Sequence, residues 1–225
     1  MNAPRRALVL IDVQQEYFDG PLSIQYPPRD ESLTNILRAL DVAAQADMPV
    51  VAVQHEYPQG APVFVAGSAG WELHPEVESR INSTTKRVVK NFSDIFASTG
   101  LAEWFRENEI GTLTLVGYMT NNCVLSTAAA AEPLGFTIEV LSDATGAVHL
   151  ANEAGTASAQ QVHETLMTLL HSNWAAVTTT DTWALAISND DRLTKNDLVT
   201  SATQGRATEP FPTCLSSTEV GLTTW

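Results

Sequence analysis

Ala7-Leu8-Val9-Leu10-Ile11-Asp12-Val13 is a continuous apolar run interrupted by one carboxylate. A run without polar alternation suits a strand covered on both faces, as in a parallel sheet. A helix follows, with Leu33, Ile36, Leu37 and Leu40 at helical spacing across residues 31–46 and Met48-Pro49 closing it. Val50 to Gln54 reads as a second buried strand and Arg87 to Val89 as a short third. Thr112 to Gly117, Phe136 to Leu141 and Ala175 to Thr179 supply the fourth to sixth strands. Further helices are expected at 101–108, at 122–134 with Gly135 as a stop signal, and at 153–170. In the last of these Asn152 is the expected cap, and Val162, Leu166, Leu169 and Leu170 share one face. Strands alternating with helices form right-handed βαβ units. The expected fold is therefore α/β: a Rossmann-like, three-layer domain with a six-stranded parallel sheet in the order 3-2-1-4-5-6 and helices on both faces. Ligands in such folds bind beyond the carboxyl ends of the strands, where the strand order reverses.

The bulk properties agree with one such domain. A chain of 225 residues accommodates a sizeable core at residues 1–187 and a remainder at 188–225. That remainder is rich in Ser and Thr, lacks an apolar period, and reads as a poorly ordered tail. The formal net charge of −14 and the absence of a basic patch argue against nucleic acid or an anionic membrane as partner. The two cysteines, Cys123 and Cys214, are too far apart in sequence to suggest a disulfide framework, so a reduced, cytoplasmic setting is expected. The run from Ala7 to Ile11 is too short for a signal peptide, and no stretch approaches the length of a membrane span.

Three residues stand where a site should be. Asp12 ends the first strand, Lys90 follows the third, and Cys123 comes after the fourth in Gly117-Tyr118-Met119-Thr120-Asn121-Asn122-Cys123. A thiol at the start of a helix feels the positive end of the macrodipole, which favours thiolate, and the free N–H groups of that turn can hold an oxyanion. A carboxylate inside an apolar strand is costly unless it is paired. Taken singly, Cys123 also fits a buried structural cysteine, Asp12 a capping carboxylate, and Lys90 a solvated lysine beside Arg87. Together they form a nucleophile, a base and a cation on one edge of the sheet.

Asp12-Val13-Gln14 after an apolar strand, Lys90 followed by Phe92-Ser93 and Phe96, and Gly117-x-x-Thr120-Asn121-x-Cys123-Val124 resemble the isochorismatase-like cysteine hydrolases over roughly residues 7–180. The resemblance implies a Cys123–Asp12–Lys90 triad that hydrolyses a small-molecule amide through a thioester. It also implies a cis peptide between Tyr118 and Met119, and an oxyanion hole from the N–H groups of Met119 and Cys123. Gln14, His55, Trp71, Tyr118 and Asn121 are the expected substrate contacts. Family members commonly form dimers or tetramers, so a homo-oligomer is expected. The metal site of the nicotinamidase branch, Asp-x-His…His, is broken here: Gln54-His55-Glu56-Tyr57 puts His55 at the aspartate position and Tyr57 at the first histidine. No catalytic metal and no cofactor are expected. The stretch Gly117-Tyr118-Met119-Thr120 and the loop after His55 resemble the streptothricin-hydrolase-like branch, which implies a cyclic or unusual amide. Two other classes stay open: vinyl-ether hydrolysis of isochorismate, and a non-catalytic binding protein on the same fold.

Overall fold

The computed structural model describes residues 5–208. In chain order its elements are β1 (Arg6–Ile11), α1 (Arg29–Gln45), β2 (Val50–His55), α2 (Pro75–Glu78), β3 (Lys86–Lys90), α3 (Leu101–Glu107), β4 (Thr112–Tyr118), α4 (Leu125–Leu134), β5 (Thr137–Gly146), β6 (Leu150–Asn152), β7 (Gly155–Ala157), α5 (Ala159–Asn173), β8 (Ala175–Thr178), α6 (Thr180–Ser188) and α7 (Leu198–Ala207). The main sheet is six-stranded, in the order β3-β2-β1-β4-β5-β8, and every pairing in it is parallel.

The apolar run of β1 explains the three layers. Successive side chains of a strand point to opposite faces. Leu8 and Leu10 pack on one side with Leu33, Ile36, Leu37 and Leu40 of α1 and Trp183 of α6. Ala7, Val9 and Ile11 pack on the other with Leu101 and Phe105 of α3, Ala128 and Ala131 of α4, and Met167 and Leu170 of α5. Strand order reverses between β1 and β4, where the chain, having laid β2 and β3 to one side of β1, returns to build the other side.

Three expectations about elements need correction. Residues 153–158 are not helical. The antiparallel pair β6–β7 occupies this region, and α5 begins after Ser158, which forms a capping box with Gln161. Ser158, not Asn152, is therefore the cap. The buried face of α5 is Ala159, His163, Met167 and Leu170, while Leu169 is exposed. Finally, the expected tail holds a helix. Asp197 caps α7 through Thr200 N–H at 2.9 Å, and Asn196 N–H bonds to His171 C=O at 3.0 Å. None of the residues of α7 is buried, so its signal is the cap and not an apolar stripe. Residues 209–225, including Cys214, lie outside the described residues. Among the described residues no helix is long and apolar enough to cross a membrane.

Candidate active site

Four strands deliver one side chain each to the same end of the sheet. Asp12 follows the last residue of β1, His55 ends β2, Lys90 ends β3, and Cys123 lies just beyond β4. His55 and Lys90 are direct partners across β2 and β3. Beyond β4, the Tyr118–Met119 peptide is cis, as the resemblance implied. Thr120–Val124 then forms one turn of π-helix ahead of α4. Such single wide turns are frequent at functional sites. Here the turn is pinned on two sides: Met119 C=O accepts from the N–H groups of Asn122 and Val124 at 3.1 Å, and Thr120 Oγ1 bonds to His163 Nδ1 at 3.0 Å.

Asp12 and Cys123 both lie against the lysine. Lys90 Nζ is 2.8 Å from Asp12 Oδ2 and donates to Cys123 Sγ at 3.2 Å. It also donates to Phe92 C=O at 3.2 Å and lies 2.9 Å from His55 Nδ1. All of these side chains except Phe92 are buried, Asp12 completely so. Asp12 also adopts a left-handed backbone conformation, φ 51°, which costs a non-glycine residue about 1–3 kcal/mol and clusters at active sites.

Burial dominates the electrostatics. It raises the Asp12 carboxyl, against the charge of Lys90, which pulls it down. The Cys123 thiol is driven far up by burial and by the negative charge of Asp12, with Lys90 opposing both. Burial alone would lower Lys90, but the charges of Asp12 and Cys123 outweigh it and the ammonium is favoured. His55 is lowered to about 4, by burial and then by Lys90, so its ring is neutral over the physiological range. The thiolate expected from the helix dipole is thus not the resting form. Desolvation of a fully buried group shifts a pKa by up to about 3–5 units, whereas a helix terminus contributes about 1 kcal/mol, under one unit.

One donor atom from each of Asp12, His55 and Cys123 lies within 4.8 Å of the others, which is a spacing a cation could use. Lys90 Nζ touches all three, so the chain's own ammonium already supplies the positive charge there.

The five expected substrate contacts divide. Trp71 and Asn121 carry buried polar atoms, Nε1 and Oδ1, without a hydrogen-bond partner among the described residues. Asn121 also lines an open groove of about 460 Å³ with Leu125, Leu150 and Val162. His55 sits inside the cluster itself. The side chains of Gln14 and Tyr118 bond to other parts of the protein. Both N–H bonds of the Gln14 amide are used, Nε2 donating to the carbonyls of His55 and Trp71 at 3.0 and 2.8 Å, and Oε1 accepts from His55 N–H at 2.8 Å. Gln14 therefore ties the loop after β2 to the end of β1. The Tyr118 hydroxyl bonds to Ser32 Oγ at 2.7 Å, within the core on the α1 side of the sheet.

Sequence reading missed Tyr17. It is buried, its ring centroid lies 5.3 Å from that of Phe64, and the charges of Cys123 and Asp12, after burial, push its hydroxyl well above the usual tyrosine range. Its signal was its place five residues after Asp12, still at the carboxyl edge of β1. Tyr57 and Phe64 add edge-on rings at 4.5 and 5.5 Å from His55. His74 caps α2 by accepting Glu76 N–H at 3.3 Å.

This constellation has relatives. An isochorismatase-type protein from Burkholderia xenovorans LB400, known from a crystal structure, is 44% identical, covers 92% of this chain and 98% of its own, and superposes with a TM-score of 0.88. The secreted isochorismatase effector Isc1 of Verticillium dahliae is 35% identical over 62% of this chain and 71% of its own length. A streptothricin hydrolase of Streptomyces noursei is 32% identical over 63% of this chain and 54% of its own length. The family model for the isochorismatase domain matches residues 6–182, which include every residue of the cluster, and the chain belongs to the isochorismatase family of hydrolases.

Proposed function

We propose that the chain is a cysteine hydrolase that cleaves a C–N bond of a small-molecule amide through a thioester on Cys123. The observation that carries this reading is the single ammonium of Lys90 placed between Asp12 Oδ2 and Cys123 Sγ, 2.8 and 3.2 Å away. A thiol so deeply buried does not ionise into solvent. It passes its proton to Asp12; the transfer stays within the cluster, so the net charge is unchanged, and Lys90 faces both the carboxylate that is neutralised and the thiolate that appears. The thiolate attacks the carbonyl carbon, and the N–H groups of Met119 and Cys123 hold the oxyanion. Asp12 then returns the proton to the leaving nitrogen, the C–N bond breaks, and a thioester remains. Asp12 next takes a proton from water. The resulting hydroxide adds to the thioester carbonyl, and the C–S bond breaks with the Cys123 thiolate as leaving group. The acid product departs, and Asp12 returns its proton to sulfur.

Tight burial of Cys123 favours a small substrate, one that enters past the loop bearing Tyr57, Phe64 and Trp71. Trp71 Nε1 and Asn121 Oδ1, both buried and unpaired among the described residues, are the polar atoms we assign to it. The similarity to streptothricin hydrolase favours a cyclic or otherwise unusual amide. The single free buried cysteine among the described residues suits a reducing, cytoplasmic setting.

The test is a panel of small amides and lactams assayed for released ammonia or amine, with wild type beside Cys123→Ala. Turnover that vanishes in the variant supports the proposal. The similarity to Isc1 motivates isochorismate as a further substrate. Pyruvate release that survives Cys123→Ala would replace the amidase reading by vinyl-ether hydrolysis. A wild type inert toward every substrate and toward thiol alkylation at neutral pH would instead leave a binding protein.

A further inference from the structure

Lys90 has more acceptors than protons. An ammonium carries three N–H bonds, yet Asp12 Oδ2, His55 Nδ1, Cys123 Sγ and Phe92 C=O all lie between 2.8 and 3.2 Å from Nζ. His55 is the member of this set that the triad leaves unexplained. It is buried, it is the cross-strand partner of Lys90, and its Nε2 has no hydrogen-bond partner among the described residues. The rings of Tyr57 and Phe64 meet it edge-on and hold its plane.

Resting on the triad reading above, we propose that His55 is a positioning residue, whose unprotonated Nδ1 accepts a hydrogen bond from the Lys90 ammonium and keeps it directed at Cys123 Sγ through turnover. The lysine stem has four flexible methylenes. Asp12 is the one negative side chain in the resting cluster, and attraction to it alone would draw Nζ away from the sulfur. A neutral acceptor at 2.9 Å opposes that collapse without adding a charge. When Cys123 is acylated, sulfur ceases to be a good acceptor, and three acceptors then remain for three protons: Asp12, His55 and Phe92 C=O. The ammonium therefore keeps its place between the two halves of the reaction. The arrangement fixes the tautomer, since Nδ1 accepts and the proton must lie on Nε2. Lys90, Asp12, Cys123 and Tyr57 are the titratable groups facing the ring, and its lowered pKa agrees with a permanently neutral acceptor.

Three substitutions separate this role from packing. His55→Asn puts an amide oxygen near the place of Nδ1, His55→Gln puts its amide near Nε2, and His55→Phe provides neither. The readout is the pH profile of Cys123 alkylation by iodoacetamide, which requires no substrate. His55→Phe and His55→Gln should slow alkylation about tenfold or more, the worth of a hydrogen bond to a charged group. His55→Asn should recover most of that loss, and in a Lys90→Met background His55→Phe should add little. An Asn variant as slow as Phe, a Phe variant as fast as wild type, or losses that add in the double variant would each overturn the proposal. If a variant fails to fold or the thiol resists alkylation, nitrogen NMR of wild-type His55 decides. The Nε2–H tautomer between pH 5 and 8 is expected, and the Nδ1–H tautomer overturns the role. Failure of the amide panel with the alkylation pattern intact would remove the amidase reading alone.

Discussion

At the scale of single residues, the site is a problem in where one proton and one cation reside. Asp12 was legible because a carboxylate in an apolar strand is costly unless it is paired. Lys90, which alone reads as a solvated lysine, was legible only in company with Asp12 and Cys123. Cys123, the proposed nucleophile, stood out in sequence too, but not its protonation, because the positive end of a helix is visible in sequence and the depth of burial is not. Removing the cation should expose this dependence. Lys90 lowers the Asp12 pKa by its charge and its hydrogen bond. Lys90→Met therefore lets burial raise that carboxyl further, Asp12 holds its proton to higher pH, and the form able to accept the thiol proton is lost earlier on acidification. The acidic limb of the kcat/KM profile should move upward by about one unit or more, with at least about a hundredfold lower rate at neutrality. An acidic limb unmoved in Lys90→Met would mean that Asp12 is not the base. Chelation bears on the same cluster. Because Lys90 already occupies the space among Asp12, His55 and Cys123, activity should persist after exhaustive treatment with a chelator. Loss that zinc, iron or manganese restores would show that a metal, and not the ammonium, completes the site.

At the scale of elements, legibility followed the strength of the local signal. β1 and β2 carried continuous apolar runs and α1 a full stripe, so these were read within a few residues of their ends, whereas β5, with Ser142 and Asp143 in it, runs on to Gly146 past its expected end at Leu141. The β6–β7 pair was missed because strands of three residues give no usable period, and with it went the start of α5. The π-turn at Thr120–Val124 was not legible as such: residues 122–124 read as the start of the alanine-rich helix that follows, and the wider turn shows only in the bonds of Met119 C=O to Asn122 and Val124 N–H and of Thr120 to His163. Gly117 is the hinge on which this turn depends. Its φ is 104°, and a Cβ there would stand 2.1 Å from Ile11 C=O, because β1 and β4 approach each other closely at the reversal of strand order. The obstacle is backbone, which cannot rotate aside. Gly117→Ala should cost about 3 kcal/mol or more, the sum of overpacking and a disfavoured φ, read as a lower urea midpoint at constant m. The fraction that remains folded should turn over more slowly, since Met119 and Cys123 follow directly. Normal stability in Gly117→Ala would show that the two strands separate more easily than the register of Ile11 with Gly117 suggests.

At the scale of the whole molecule, chemistry and stability occupy opposite ends of one sheet. The parallel order was legible from alternation of strand and helix, and the site had to lie at the carboxyl ends. The amino ends gave no such warning: nothing in sequence joins Arg6 to Glu139, 133 residues away. Arg6 Nε donates to both Glu139 oxygens at 3.0 and 3.1 Å, and a terminal Arg6 nitrogen reaches Asp191 C=O at 2.7 Å. Thr114 Oγ1 donates to Glu139 at 2.7 Å, and Trp183 Nε1 lies 3.2 Å from both Thr114 and Glu139. This network ties β1, β4, β5 and α6 together under the sheet. Glu139→Ala would leave a buried guanidinium unpaired and take an acceptor from Thr114 and Trp183, at a cost of about 3–5 kcal/mol. Replacing both partners with apolar side chains, as in Arg6→Met with Glu139→Leu, removes the charge along with its partner and should recover most of that loss. Because β1 is six residues long and rises about 3.3 Å per residue, roughly 20 Å separates Arg6 from the cluster at Asp12. The folded fraction of each variant should therefore keep the wild-type rate of Cys123 alkylation, although their melting temperatures differ. A change in that rate matching the loss of stability would mean that the two ends of the sheet are coupled, and that the strands transmit strain from the buried ion pair to the nucleophile.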